Sequence, residues 1–303
     1  MRKFLKYCLF FFLPIIIAAV PVEYLLRQFP NSYKYKYDWM QKNAEDAEIL
    51  VLGSSQSLDG ISPKVFKEKG FNLANVSQGI KQDSFLLKYW ANRYRHLKTV
   101  IMPISYFSLL EPGLLESFGE SYRCRYYKMY MDCDLYQGWS YNFELSDIRS
   151  AMMKFGKHIS KHYKLDCDIY GWCAKKHSSK ELSNDIQASK TVKIHTVKNW
   201  DKIEINYERM KEIARFCKSR NIHLVLITTP CWHTYYDRLE QKQLTKMYEL
   251  IHRIQKEFRV PYLDYLKDSR FQAKDFSNCY HLSEVGAIKF TEILDKDIHR
   301  QKW

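Results

Sequence analysis

Two stretches far apart in the chain carry the residue types of nucleophilic catalysis. ILVLGSSQSLDGISP, residues 49–63, runs four apolar residues into a Gly-Ser-Ser turn that offers Ser54, Ser55 and Ser57. DFSNCYHLSEVGAIKF, residues 275–290, places His281 three residues after Asn278 and six after Asp275. A serine hydroxyl is a poor nucleophile unless a base, usually a histidine held by a third group, takes its proton. Ser55, His281 and Asn278 are the candidates for those three roles. The alternative for Ser55 is a turn residue capping the next helix, and Ser54 and Ser57 read as turn residues. For His281 it is a helix-start residue bonded to the backbone, and for Asn278 a loop former.

A third stretch, TTPCWHTYY at residues 228–236, puts Cys231, Trp232 and His233 just past an apolar run. Trp232, His233 and Tyr106 are candidates for lining an acceptor pocket, because flat aromatic faces suit sugar rings; ordinary packing is the alternative. His233 is a spare base, and Cys231 lacks a glycine elbow. The chain contains neither CxxC nor HExxH, so no compact metal motif is present and the chemistry requires no cofactor. A phosphate-binding reading of the serine turn lacks the Gly-rich loop and lysine it would need.

Strands must position these residues. EILVLGSS, FNLANVS, KTVIMPIS, IHLVLITTP and VPYLDY read as strands, and the continuous apolar runs among them are those of a sheet buried on both faces. Between them, ISPKVFKEKG, SFLLKYWANRYRHL, YERMKEIARFCKSRN, DRLEQKQLTKMYELIHRIQKEFR and the Ser283-capped SEVGAIKFTEILDKDIHRQ read as helices. The pattern is a three-layer α/β/α sandwich with a mainly parallel sheet. The period is lost over residues 106–197, which read as a mostly helical insertion after the third strand. In parallel sheets ligands bind at the carboxyl ends of strands, where the GSSQS turn falls. The loop carrying His281 reaches the same edge if the last strand is parallel.

Residues 1–30 differ in kind. Arg2, Lys3 and Lys6 precede an apolar run from Tyr7 to Val22, the pattern of an uncleaved signal-anchor or a cleaved signal peptide. Apolar character resumes at Tyr24, Leu25 and Leu26 after the small residues Ala18 and Ala19, which favours an anchor, with residues 4–26 in the membrane. The basic flank would stay in the cytoplasm and residues 31–303 would form an exported domain. In that compartment Cys124 with Cys133 and Cys167 with Cys173 are close enough in sequence for local disulfides, whereas Cys8 lies in the apolar run and Cys217 on a core helix face. Lys and Arg number 48 against 34 Asp and Glu, a formal charge of +14. An exported chain rarely meets nucleic acid; anionic lipid or acidic surface polymer is the counterpart, unless the lysines are only a solvated face.

The early Gly-x-Ser turn together with the late HLSEVGAIKF block resembles the SGNH (GDSL-like) hydrolase superfamily over most of the exported part. The anchor, VLGSSQS, FNLANVSQ, VIMPISYFSL and LITTPCWHTYY are similar to its exported branch related to D-alanyl-lipoteichoic acid biosynthesis and alginate O-acetylation proteins. The resemblance implies a flavodoxin-like fold, Ser55 as nucleophile and His281 as base. It also implies an oxyanion hole from the Ser55 backbone N–H and the loop near Ser77, Gln78 and Gly79. Asn278 stands where the superfamily has aspartate; a neutral amide orients an imidazole without stabilising its charged form. The third-strand block lacks the expected asparagine, leaving Ser105 or Tyr106 as donors. The implied function is a single-pass serine esterase or O-acyltransferase of a bacterial-type inner or cytoplasmic membrane. Its substrates would be acyl esters, acetyl above all, of cell-surface carbohydrate, with an acyl donor or a membrane-bound acyltransferase as partner. The other reading is a catalytically degenerate accessory protein that binds a glycan or such an acyltransferase.

Overall fold

Five short apolar runs make one sheet in the computed structural model, which describes residues 1–116, 119–160 and 164–301. They are β1 (Ile49–Val51), β2 (Gly70–Asn72), β3 (Thr99–Pro103), β4 (His223–Thr228) and β5 (Tyr262–Asp264), in the order 2-1-3-4-5. Every pairing is parallel, with Leu50 beside Phe71 and Val100, Val100 beside Leu224, and Ile227 beside Leu263. After β1 the chain turns to β2 on one side and then crosses to β3 on the other. The loops leaving β1 and β3 therefore diverge, and a crevice opens at the carboxyl ends of those two strands.

Both faces of the sheet are covered, as its uninterrupted apolar strands require. Ile49, Val51, Ile101, Val225 and Ile227 pack into one core with Ala287, Phe290, Leu294 and Ile298 of helix Glu284–Arg300, whose apolar residues recur at helical spacing. The alternate residues Leu50, Val100, Leu224 and Leu226 are equally buried and point the other way. Helix Ile203–Ser219 lies on β4 and packs against helices Ile80–Tyr89 and Gln241–Phe258.

Several elements are shorter than the sequence suggests, among them the helix expected over SFLLKYWANRYRHL, which spans Ile80–Tyr89 and stops there. FNLANVS supplies only two strand residues, Phe71 and Asn72, because Asn72 turns its side chain to other work: Nδ2 donates to the carbonyls of Ser57 and Ile61, and Oδ1 accepts the Ala74 N–H. ISPKVFKEKG yields a single 3-10 turn, Pro63–Val65, started by the proline.

The chain divides into two compact units, one of Lys36–Ser121 with Cys167–Trp303, which holds the whole sheet, and one of Met1–Tyr35 with Tyr122–Asp166. In the second unit the helix Arg2–Gln28 contains a stretch, Lys6–Gln28, long and apolar enough to cross a membrane. Near its end the Glu23 carboxylate accepts the backbone N–H groups of Glu144 and Leu145, each at 3.0 Å, and Arg27 Nε at 2.7 Å. Of the aperiodic stretch, residues 106–121 and 167–197 belong with the sheet and 122–166 with the N-terminal helix.

Candidate active site

The turn after β1 is tight. Gly53 has φ +104°, and a Cβ there would lie 2.7 Å from Ser57 Oγ and 3.1 Å from Pro103 Cδ, so only glycine fits. Its N–H donates to Asp83 Oδ1 at 2.8 Å. Ser54 then leads into the short helix Ser55–Gly60 in an extended conformation. The Asn72 amide, bonded to the carbonyls of Ser57 and Ile61, fastens that helix to β2.

The loop carrying His281 comes from the other end of the chain. Phe276 and Leu282 pair as an isolated antiparallel bridge, and the Ser277 N–H donates to the His281 carbonyl at 2.9 Å. Gln56 Nε2 donates to the Tyr280 carbonyl at 3.1 Å and so ties this loop to the serine helix. The result is a contact of 2.8 Å between Ser55 Oγ and His281 Nε2. On the far side of the ring, His281 Nδ1 lies 3.1 Å from Asn278 Nδ2. Asn278 Oδ1 accepts the backbone N–H groups of Tyr280 at 3.1 Å and His281 at 2.9 Å.

Burial governs the charges here. It pushes the His281 pKa down to about 3, assisted by His195 and Lys175, so the ring is neutral at neutral pH. Asp59, 2% exposed, has its Oδ2 4.0 Å from His281 Nε2. Burial raises its pKa to about 7 against the opposing pull of Lys175 and Lys36. Both residues open, with Ser55, onto a cavity of about 1020 Å³ whose wall also includes Ser77, Phe107 and His195.

Ser55, His281 and Asn278 are thus brought together, and Ser77 joins them at the cavity wall with φ +56° and its hydroxyl on Glu120 at 3.2 Å. The other expected residues lie elsewhere. Gln78 is buried, its amide bonded to Asp83, Asn75 and the Leu73 carbonyl, and the Gly79 N–H is taken by Gln82 Oε1. Trp232 packs on Phe276, with ring centroids 5.4 Å apart, as part of the core. His233 is exposed beside Asp237, 3.8 Å away, and Cys231 is a buried thiol 3.6 Å from Gln56 Nε2. The Tyr106 hydroxyl pairs with Thr196 at 3.2 Å and accepts the Glu240 N–H, so its neighbour Phe107 lines the cavity instead. Ser105 donates to Gln56 Oε1, and Asp275 Oδ2 holds the Gln272 N–H and Lys289. Cys124, Cys133, Cys167 and Cys173 are buried thiols, so neither of the expected local disulfides is formed.

Asp59 and His195 are titratable residues of the cavity wall that were not singled out by sequence. Asp59 stands four residues after Ser55, the spacing that puts side chains on one helix face, and that signal was available. His195 falls in the aperiodic stretch, where nothing marks it. Its Nδ1 lies 2.7 Å from the Tyr235 hydroxyl, and its ring packs on Phe107 and on Tyr280, which in turn lies 3.9 Å from the His281 ring. No protein-family model matches the chain, and no curated protein matches it significantly.

Proposed function

We propose that the protein is an exported, membrane-anchored serine enzyme of SGNH-like type that transfers or hydrolyses acyl groups, acetyl above all, on cell-surface carbohydrate. The observation that carries this reading is the 2.8 Å contact of Ser55 with a neutral, largely buried histidine in the wall of a large cavity. That cavity lies at the carboxyl ends of the strands, where parallel α/β sheets bind ligands. Ser55 Oγ attacks the acyl carbonyl carbon as its proton passes to His281 Nε2. The tetrahedral intermediate collapses, and His281 returns the proton to the departing alcohol oxygen. Water or a sugar hydroxyl then releases the acyl group by the same steps in reverse. Removing Ser55 or His281 should abolish the reaction. The test is labelling of the full-length chain in detergent with a fluorophosphonate, followed by peptide mass mapping. We expect slow label on Ser55, lost in Ser55→Ala and His281→Ala.

One observation favours a second reading, an accessory protein that holds a glycan or acyl chain without turning it over. Asn278 presents an amide where a triad needs a carboxylate. A wild-type chain that binds acylated oligosaccharide yet never labels would mark that reading as the right one.

A further inference from the structure

The Asn278 side chain has only one allowed orientation. Two backbone N–H groups, those of Tyr280 and His281, converge on the atom assigned as Oδ1, at 3.1 and 2.9 Å. An amide nitrogen cannot accept from them, so flipping the group would set donors against donors at two contacts. The carboxamide NH2 therefore faces His281 Nδ1, and at 3.1 Å it must donate to it. A neutral imidazole carries one proton; with Nδ1 accepting, that proton sits on Nε2, and Nε2 donates to Ser55 Oγ. This is the reverse of the tautomer that proton abstraction requires.

We infer that Asn278 holds His281 in the tautomer that donates to Ser55, so that the serine is kept as a throttled nucleophile, and that a carboxylate at position 278 would release it. The inference rests on the serine-enzyme reading above. In the resting chain Ser55 keeps its proton while accepting one from His281. To act as base the ring must move its proton to Nδ1, where it would meet the Asn278 NH2 head-on. In Asn278→Asp, one carboxylate oxygen still accepts the Tyr280 and His281 N–H groups, so the loop keeps its hydrogen bonds. The other oxygen accepts Nδ1–H, and the Nε2 lone pair turns to Ser55. Exchange of aspartate for asparagine in a serine triad lowers turnover about 10⁴-fold through this wrong tautomer. The reverse exchange should raise reactivity by about 10²-fold or more.

The test compares wild type, Asn278→Asp, and Asn278→Asp with Ser55→Ala, all full length in detergent, against a fluorophosphonate. In the labelling step Ser55 Oγ bonds to phosphorus, its proton goes to His281 Nε2, and the P–F bond breaks with fluoride leaving as the anion. The expected result is labelling of Ser55 at least about 100-fold faster in Asn278→Asp than in wild type, and none in the double variant. Equal, measurable rates in wild type and Asn278→Asp would overturn the throttling inference while leaving the serine-enzyme reading standing. No label in either protein would overturn both. A second measurement does not depend on the variant. In wild type labelled with 15N-histidine, we expect the His281 ring to show a protonated Nε2 and an unprotonated Nδ1; the opposite pattern would overturn the inference.

Discussion

Among single residues, Asp59 is held far from the solvated carboxylate it would be in an unfolded chain. Its pKa rises from 3.8 to about 7, first through burial and against the attraction of Lys175 and Lys36. Between those values the folded protein binds more protons than the unfolded chain, so this group's contribution to stability is greatest below about pH 4 and is lost as pH rises through 7. At about 1.4 kcal/mol per pKa unit, burying ionised Asp59 at pH 8 costs on the order of 4 kcal/mol. Asp59→Asn removes that charge. We expect its thermal midpoint to exceed that of wild type at pH 8 and to approach it near pH 4; a difference independent of pH would contradict this assignment. His281 runs the other way: its folded pKa is depressed from 6.5 to about 3, so its contribution is present above about 6.5 and lost on acidification toward 3. Comparison with an Asp59 variant cancels this second slope.

At the scale of elements, the final helix is what presents His281. Ser283 caps it, its Oγ accepting the Gly286 N–H at 3.2 Å, while the Ser283 N–H donates to the Asp275 carbonyl at 2.9 Å. This brings the first helical turn so close to the preceding loop that a Cβ on Gly286 would be driven into the Asp275 carbonyl oxygen. The obstacle is backbone, which cannot swing aside as a side chain would. Gly286→Ala should therefore cost about 3 kcal/mol or more in urea unfolding, at the upper end of overpacking penalties. Ser283→Ala, which removes the cap and the hydrogen bond that Oγ donates to the Lys274 carbonyl, should cost about 2 kcal/mol. Because the glycine change displaces the loop itself, we also expect it to abolish Ser55 labelling, which the milder serine change should leave intact.

For the whole molecule, the relevant features are the N-terminal apolar helix and the excess of basic residues. Lys6–Gln28 exposes its apolar side chains almost throughout, as a lipid-facing segment does and a core helix does not. In the anchor reading, the expressed chain should stay with membranes through high-salt and alkaline carbonate washes, and its N-terminal peptide should be recovered uncleaved by mass mapping. Release by salt alone would point to the +14 charge as the tether; a trimmed N-terminus would point to a signal peptide.

The β-α alternation, the parallel sheet and the place of the serine turn were legible in the sequence because buried parallel strands are continuous apolar runs, as ILVL and LVLI are here. Ser283 as helix cap was legible for a local reason, since caps are set by residues near in the chain; the pairing of Ser55 with His281, 226 residues on, was expected only from the resemblance and the place of both at one sheet edge. The shortness of β2 was not, since it depends on Asn72 reaching the serine helix. Nor were the true cavity wall, where Phe107 and His195 stand in place of Tyr106, Trp232 and His233. The sequence determined that position 278 holds an amide. Only the tertiary structure decided which end of that amide meets His281, because two backbone N–H groups brought round by the loop claim its oxygen and leave the histidine nothing but a donor.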